Sequence, residues 1–83
     1  TNGRNVYLNY QTKATGFIKV EVVGEDGKTI VGRSFDDCDP INGNDLNRLV
    51  TWKGDSDIKI PENTPVKLRF QLIRTDLFSV RFN

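Results

Sequence analysis

Apolar and polar residues alternate with a period of two through most of this chain, the pattern of strands that bury one face. Val6, Leu8 and Tyr10 alternate with Tyr7 and Asn9, which predicts a half-buried strand over residues 5–10. Ile18, Val20 and Val22 against Lys19 and Glu21 predict another over 16–23. Gly24-Glu25-Asp26-Gly27-Lys28 follows, and Asp-Gly supplies the positive φ that a tight reversal needs. Residues 29–35 are therefore expected to return as the second strand of a hairpin, with Gly32 marking a bulge or a close backbone approach.

Residues 35–44 are dense in Asp, Asn, Pro and Gly and read as a loop, where function often sits. Alternation resumes over 45–53, with Val50 and Trp52 the stronger candidates for the inward side. A turn at 54–57 leads to a short extended piece carrying Ile58 and Ile60, stopped by Pro61, and 62–65 turn the chain again. Val66, Leu68, Phe70 and Leu72 against Lys67, Arg69 and Gln71 make the cleanest strand. Thr75-Asp76 read as a turn before a last strand with Phe78, Val80 and Phe82. Short strands at a spacing of roughly 8–12 residues predict an all-β fold, a single antiparallel β-sandwich of about seven strands. The expected core is Val6, Leu8, Ile18, Val20, Val22, Ile30, Val50, Trp52, Val66, Leu68, Phe70, Phe78, Val80 and Phe82.

Composition narrows the function. Eighty-three residues form one domain with little room for an enclosed active site. Twelve Lys and Arg against eleven Asp and Glu leave a net charge of +1, with no electrostatic footprint for nucleic acid or an anionic membrane surface. The chain has no histidine, which removes imidazole-based nucleophile systems and metal sites, and its single Cys excludes an internal disulfide. It has no methionine and opens on Thr1, so we read it as part of a longer protein, a C-terminal fragment forming one domain over 1–83.

An ordered series of short motifs runs along the sequence. Ile18-x-Val20-Glu21-Val22 and Asp26-Gly27-Lys28-x-Ile30 lead into Asp36-x-Cys38-x-Pro40-Ile41-x-Gly43. Val50-x-Trp52-Lys53-Gly54-x-Ser56-Asp57 and Pro65-Val66-Lys67-Leu68-Arg69-Phe70 follow, and Asp76-Leu77-Phe78-Ser79-x-Arg81-Phe82 closes the series. Over about residues 5 to 82 this series resembles the C-terminal β-sandwich module of bacterial proteins that carry a five-bladed, glycosidase-like β-propeller. The resemblance implies a non-catalytic accessory module packed beside the preceding propeller domain, and an extracytoplasmic location: secreted, periplasmic or cell-surface. Catalytic residues of such proteins belong to the propeller, so none is carried onto this chain. Arg33 departs from the pattern, standing where an apolar or aromatic residue is expected to meet the partner domain.

Several residues are candidates for chemistry of their own. A sugar ring stacks on an exposed aromatic face beside polar groups; Trp52 and Tyr7, with Asp55 and Asp57, are the candidates, and the loop 36–45 would form the rim. The competing reading places Trp52 in the core. Asp36, Asp37 and Asp39 carry the oxygen donors calcium prefers, but their spacing matches no twelve-residue calcium loop and turn chemistry accounts for them, so no cofactor is expected. Carboxylate pairs without a cleft to desolvate one partner make no glycosidase centre, and no enzymatic activity is expected. Cys38 reads as a small buried anchor for its loop. Lys67, Arg69, Arg74 and Arg81 form a modest basic stripe whose simplest role is protecting a sheet edge. The leading expectation is an accessory module of a carbohydrate-active protein; the alternative is a carbohydrate-binding module with an exposed aromatic platform. Neither nucleic acid nor membrane is an expected partner.

Overall fold

In the computed structural model, which describes residues 4–61 and 64–83, the runs predicted at 5–10 and 16–23 are one strand, β1 (Val6–Val23). β2 (Asn44–Leu49) covers the front of the strand expected over 45–53, and β3 (Lys67–Phe82) joins the two runs expected at 66–72 and 78–82. The three form one antiparallel sheet in the order β2-β1-β3, and no described residue is helical. The turn expected at Thr75-Asp76 lies inside β3, and that at 62–65 falls partly outside the described residues.

Length explains how one strand passed for two. An 18-residue strand would span about 60 Å if straight, whereas the longest extent of the molecule is 35 Å. β1 therefore bends. The ladder to β3 steps from Thr12↔Thr75 to Phe17↔Ile73, leaving residues 13–16 against Arg74 alone. Thr15 and Arg74 take up the bend with φ of 65° and 48°. Gly16 is required there, because a Cβ on it would stand 2.5 Å from the Arg74 carbonyl oxygen and 2.8 Å from that of Ile73. A second irregularity follows Asn9: Asn9 faces Ser79 and Tyr10 faces Leu77, so Phe78 has no opposite residue. Bulges of this kind break the period of two just as a turn would.

The seven-stranded sandwich is not what these residues show; the described chain is an all-β, three-stranded antiparallel sheet covered on one face by irregular chain. The covering layer is pinned by isolated bridges between Ile18 and Ile41, Val23 and Thr29, Cys38 and Trp52, and Trp52 and Asp55. The hairpin turn after Val23 does form, with the Gly24 N–H donating to the Lys28 carbonyl at 2.9 Å and Gly27 at φ 80°. Its return strand does not, because a new turn at Val31-Gly32 carries the chain off immediately after Ile30. Proline and glycine at positions 32, 40, 43, 54 and 61 interrupt every longer ladder in this layer.

Val6, Leu8, Tyr10, Ile18, Val20 and Val22 of β1 meet Cys38, Ile41, Val50, Trp52, Ile58 and Ile60 of the covering layer in one buried cluster. Ile30, Val66, Leu68, Phe70 and Leu77 pack on it half-buried. Three residues expected in the core are not there: Phe78, Val80 and Phe82 are 60%, 38% and 43% exposed. Phe78 is the bulged residue, and the covering layer ends short of the other two.

Gly16→Ala is expected to cost about 1–3 kcal/mol, since backbone oxygens must move to admit the methyl group. Val31→Ala, at a residue 91% exposed, is expected to stay within about 0.5 kcal/mol. Urea unfolding of both variants checks the pair.

Candidate functional site

A strand in the middle of a sheet offers hydrogen-bonding groups on both edges, and β1 has β2 beside only its first half. Over residues 18–22 its second edge is closed by the covering layer. Ile18 exchanges both backbone bonds with Ile41, at 2.7 and 3.1 Å. The Val22 N–H donates to the Arg33 carbonyl and the Val22 carbonyl accepts from the Ile30 N–H, both at 2.9 Å. Between them, Val20 is satisfied by side chains: its N–H donates to Cys38 Sγ at 3.3 Å, and its carbonyl accepts from Trp52 Nε1 at 2.9 Å.

This arrangement fixes the fate of several residues singled out in the sequence. Trp52 is fully buried and presents no face for a sugar. It is held by a two-residue reversal at Lys53-Gly54, with φ of 50° and 84°, across which Trp52 and Asp55 exchange backbone bonds. Arg33, only 3% exposed, does not project toward a partner. Its guanidinium lies 5.5 Å from the Trp52 ring, forms an ion pair with Asp55 at 2.8 Å, and donates to the carbonyls of Asp57 and Gly32. Asp55 is thereby committed to Arg33, and the Asp57 carboxylate accepts from the Lys59 N–H at 2.9 Å. Burial pushes the Cys38 thiol up, with Asp39 adding to the effect, which leaves it a buried anchor rather than a thiolate.

The Asp37 and Asp39 carboxylates of the acidic loop are likewise occupied, by neighbouring hydroxyls, Lys53 and a backbone N–H. Asp37 accepts from the Ser34 hydroxyl at 2.8 Å and pairs with Lys53 at 3.3 Å. Asp39 accepts from the Thr51 hydroxyl at 2.6 Å and the Gly54 N–H at 2.9 Å, which ties the loop to the Trp52 reversal. These bonds hold Asp37 and Asp39 below the ordinary carboxylate range; for Asp55 the Asp57 backbone N–H is the leading cause, followed by Arg33. Among the described residues no cluster of three or more acidic or cysteine side chains is placed to hold a metal, Asp36, Asp37 and Asp39 included.

On the face of the sheet away from the core, Tyr7 is half-buried and its ring is covered by the Arg81 guanidinium at 4.6 Å, which also donates to Asn47 at 2.6 Å. Trp52, Tyr7, Asp55 and Asp57 are therefore not gathered into one site. The most exposed aromatic ring among the described residues is instead Phe78, in a shallow cleft of about 590 Å³ lined with Asn9, Gln11, Asn44, Asp45 and Leu46. Its signal in the sequence was hidden, because the bulge puts Phe78 on the opposite face from the one its alternation indicates.

The other uncovered feature is β3 itself. Residues directly opposite one another share a face, so Leu68, Phe70, Leu72, Val80 and Phe82 lie on the core side, facing Val22, Val20, Ile18, Leu8 and Val6. The β1 members of these pairs are fully buried, while Leu72, Val80 and Phe82 are about two-fifths exposed. An apolar row that belongs to the core thus emerges from under the covering layer. Comparison with protein-family models, curated proteins and solved structures found no match. Among the described residues no helix is long and apolar enough to cross a membrane.

The depressed carboxylates set an acid limit. Their stabilisation is complete above the unfolded value of about 3.9 and is lost as pH falls through the lower folded values. Asp39→Asn is expected to lower stability at neutral pH and to flatten the loss below about pH 4. Urea midpoints measured down to about pH 2 check this; an acid limb as steep as that of the unsubstituted chain would count against the assignment.

Proposed function

We propose that this chain is a non-catalytic accessory module of a larger carbohydrate-active protein, docking on its propeller domain through the core-side row of β3. The observation that carries the reading is the exposure of Leu72, Val80 and Phe82 on the face whose β1 neighbours are fully buried. Apolar side chains aligned with a core but left in water gain free energy when a second surface covers them. The motif series that resembles such modules supplies the class of partner. In this reading the sandwich is completed by the partner, which provides the outer layer that the covering chain leaves unfinished beyond β1. The chemistry of the chain agrees: its perturbed carboxylates are spent on turns and on Arg33, and its thiol is buried.

Joined to the propeller, Val80→Ser and Phe82→Ser are expected to lower the thermal midpoint by about 2–4 °C more than the same changes lower that of the 83-residue chain alone. Equal losses in both would mean that the row stabilises only the module.

A second reading, carbohydrate binding, is favoured by one observation: Phe78 is exposed beside Asn9, Gln11, Asn44 and Asp45. A glycan array with Phe78→Ala as the control tests it, and signals unchanged by the substitution would dismiss it.

A further inference from the structure

The edges of the sheet are treated unequally. β2, on one side, is short and its exposed residues are mostly polar, which makes a poor template for another strand. The bare stretch of β1 is closed at Ile18, Val20 and Val22 by Ile41, Cys38, Trp52, Ile30 and Arg33. β3, on the other side, runs for 16 residues, and among the described residues no backbone bond reaches its outer edge.

The ladder identifies which groups are left open. Ile18, Val20 and Val22 direct their backbone bonds away from β3, so their opposite residues Leu72, Phe70 and Leu68 direct theirs away from β1. The same three residues carry core-side apolar side chains, Leu68 and Phe70 half-buried and Leu72 about two-fifths exposed. From Val23↔Lys67 to Phe17↔Ile73 the register runs without a shift, so this stretch is a regular template. On its other face stand Lys67, Arg69, Gln71 and Ile73, and residues 67–73 contain no carboxylate. Arg69 reaches Glu21 at 3.4 Å, and Lys67 makes no ion pair among the described residues.

We propose that residues 67–73 of β3 receive an extended polypeptide segment as an added strand, and that this segment alternates apolar with acidic residues. The proposal rests on the docking reading above and names the form that docking takes. Main-chain bonds to Leu68, Phe70 and Leu72 supply the pairing, and apolar residues of the incoming strand lengthen the row over the core. Its carboxylates meet Lys67 and Arg69 across the ladder, where opposite charges stabilise and like charges oppose. That polarity selects against a second copy of this chain, which would bring two more cations and no carboxylate to the same ladder.

The test uses the 83-residue chain and a short fluorescent peptide of alternating glutamate and valine, followed by anisotropy and by amide chemical shifts. The expected result is binding at least about fivefold tighter than that of the lysine-valine counterpart, with shifts centred on Leu68, Phe70 and Leu72. Lys67→Gln with Arg69→Gln should bring the preference below about twofold, and N-methylation of the peptide on its pairing edge should abolish binding. Equal binding of both peptides, shifts centred on β2, binding indifferent to N-methylation, no binding, or self-association through β3 would each overturn the proposal. If the peptides fail while Val80→Ser and Phe82→Ser still loosen the joined protein, docking stands without strand addition; if both fail, the docking reading falls as well.

Discussion

The fold depends on satisfying the backbone of β1 where β2 does not reach it. Buried N–H and C=O groups left without partners would each cost about 1–3 kcal/mol, and Ile18, Val20 and Val22 lie at the centre of the core. The chain meets this demand with loops instead of a fourth strand. Ile41, Ile30 and Arg33 contribute main-chain groups, and Cys38 and Trp52 contribute side chains at Val20. The covering layer can therefore be irregular and still be specific, because its position is set by bonds to β1 at residues 18–22, with the Val50 N–H on the Val6 carbonyl and the Ile58 N–H on the Arg4 carbonyl fixing its other end.

Much of the rest follows from that attachment. To offer its indole N–H to Val20, Trp52 sits on a tight reversal, and Asp39 binds both the Thr51 hydroxyl and the Gly54 N–H around it. Arg33, brought in by its own carbonyl bond to Val22, is buried with its guanidinium beside the Trp52 ring and bonds Asp55 and Asp57. Trp52, Asp55 and Asp57, which looked in the sequence like parts of a ligand site, are thus parts of one structural joint, and Tyr7 is not among them. The same attachment limits reach: a layer fastened to the far edge of β1 covers β3 only in part, and Leu72, Val80 and Phe82 are left about two-fifths in water.

The sequence made the inner faces legible because burial on β1 follows strict alternation: Val6, Leu8, Ile18, Val20 and Val22 are where the period of two puts them. Val50, Trp52 and Cys38 were also expected inside, and they are buried. Strand number was not legible, since a bulge at Phe78 and a bend at Gly16 interrupt the period as a turn does. Ile41, Ile58 and Ile60 escaped the expected core because they are held by loops, where no period marks an inward residue. The role of Arg33 was hidden for a different reason: its partners lie more than twenty residues away in sequence. Open or closed edges are a property of the assembled sheet, and alternation along a single run carries no trace of them.

The central claim is that one edge of this sheet is closed by the covering layer and the opposite edge is open. Residue-resolved amide hydrogen exchange on the 83-residue chain tests it most directly. The account predicts slow exchange at Ile18 and Val22, and an alternation along β3 in which Arg69 and Gln71 are protected while Leu68, Phe70 and Leu72 exchange quickly. Uniform protection along residues 67–73 would contradict it, because the outer edge of β3 would then already be paired.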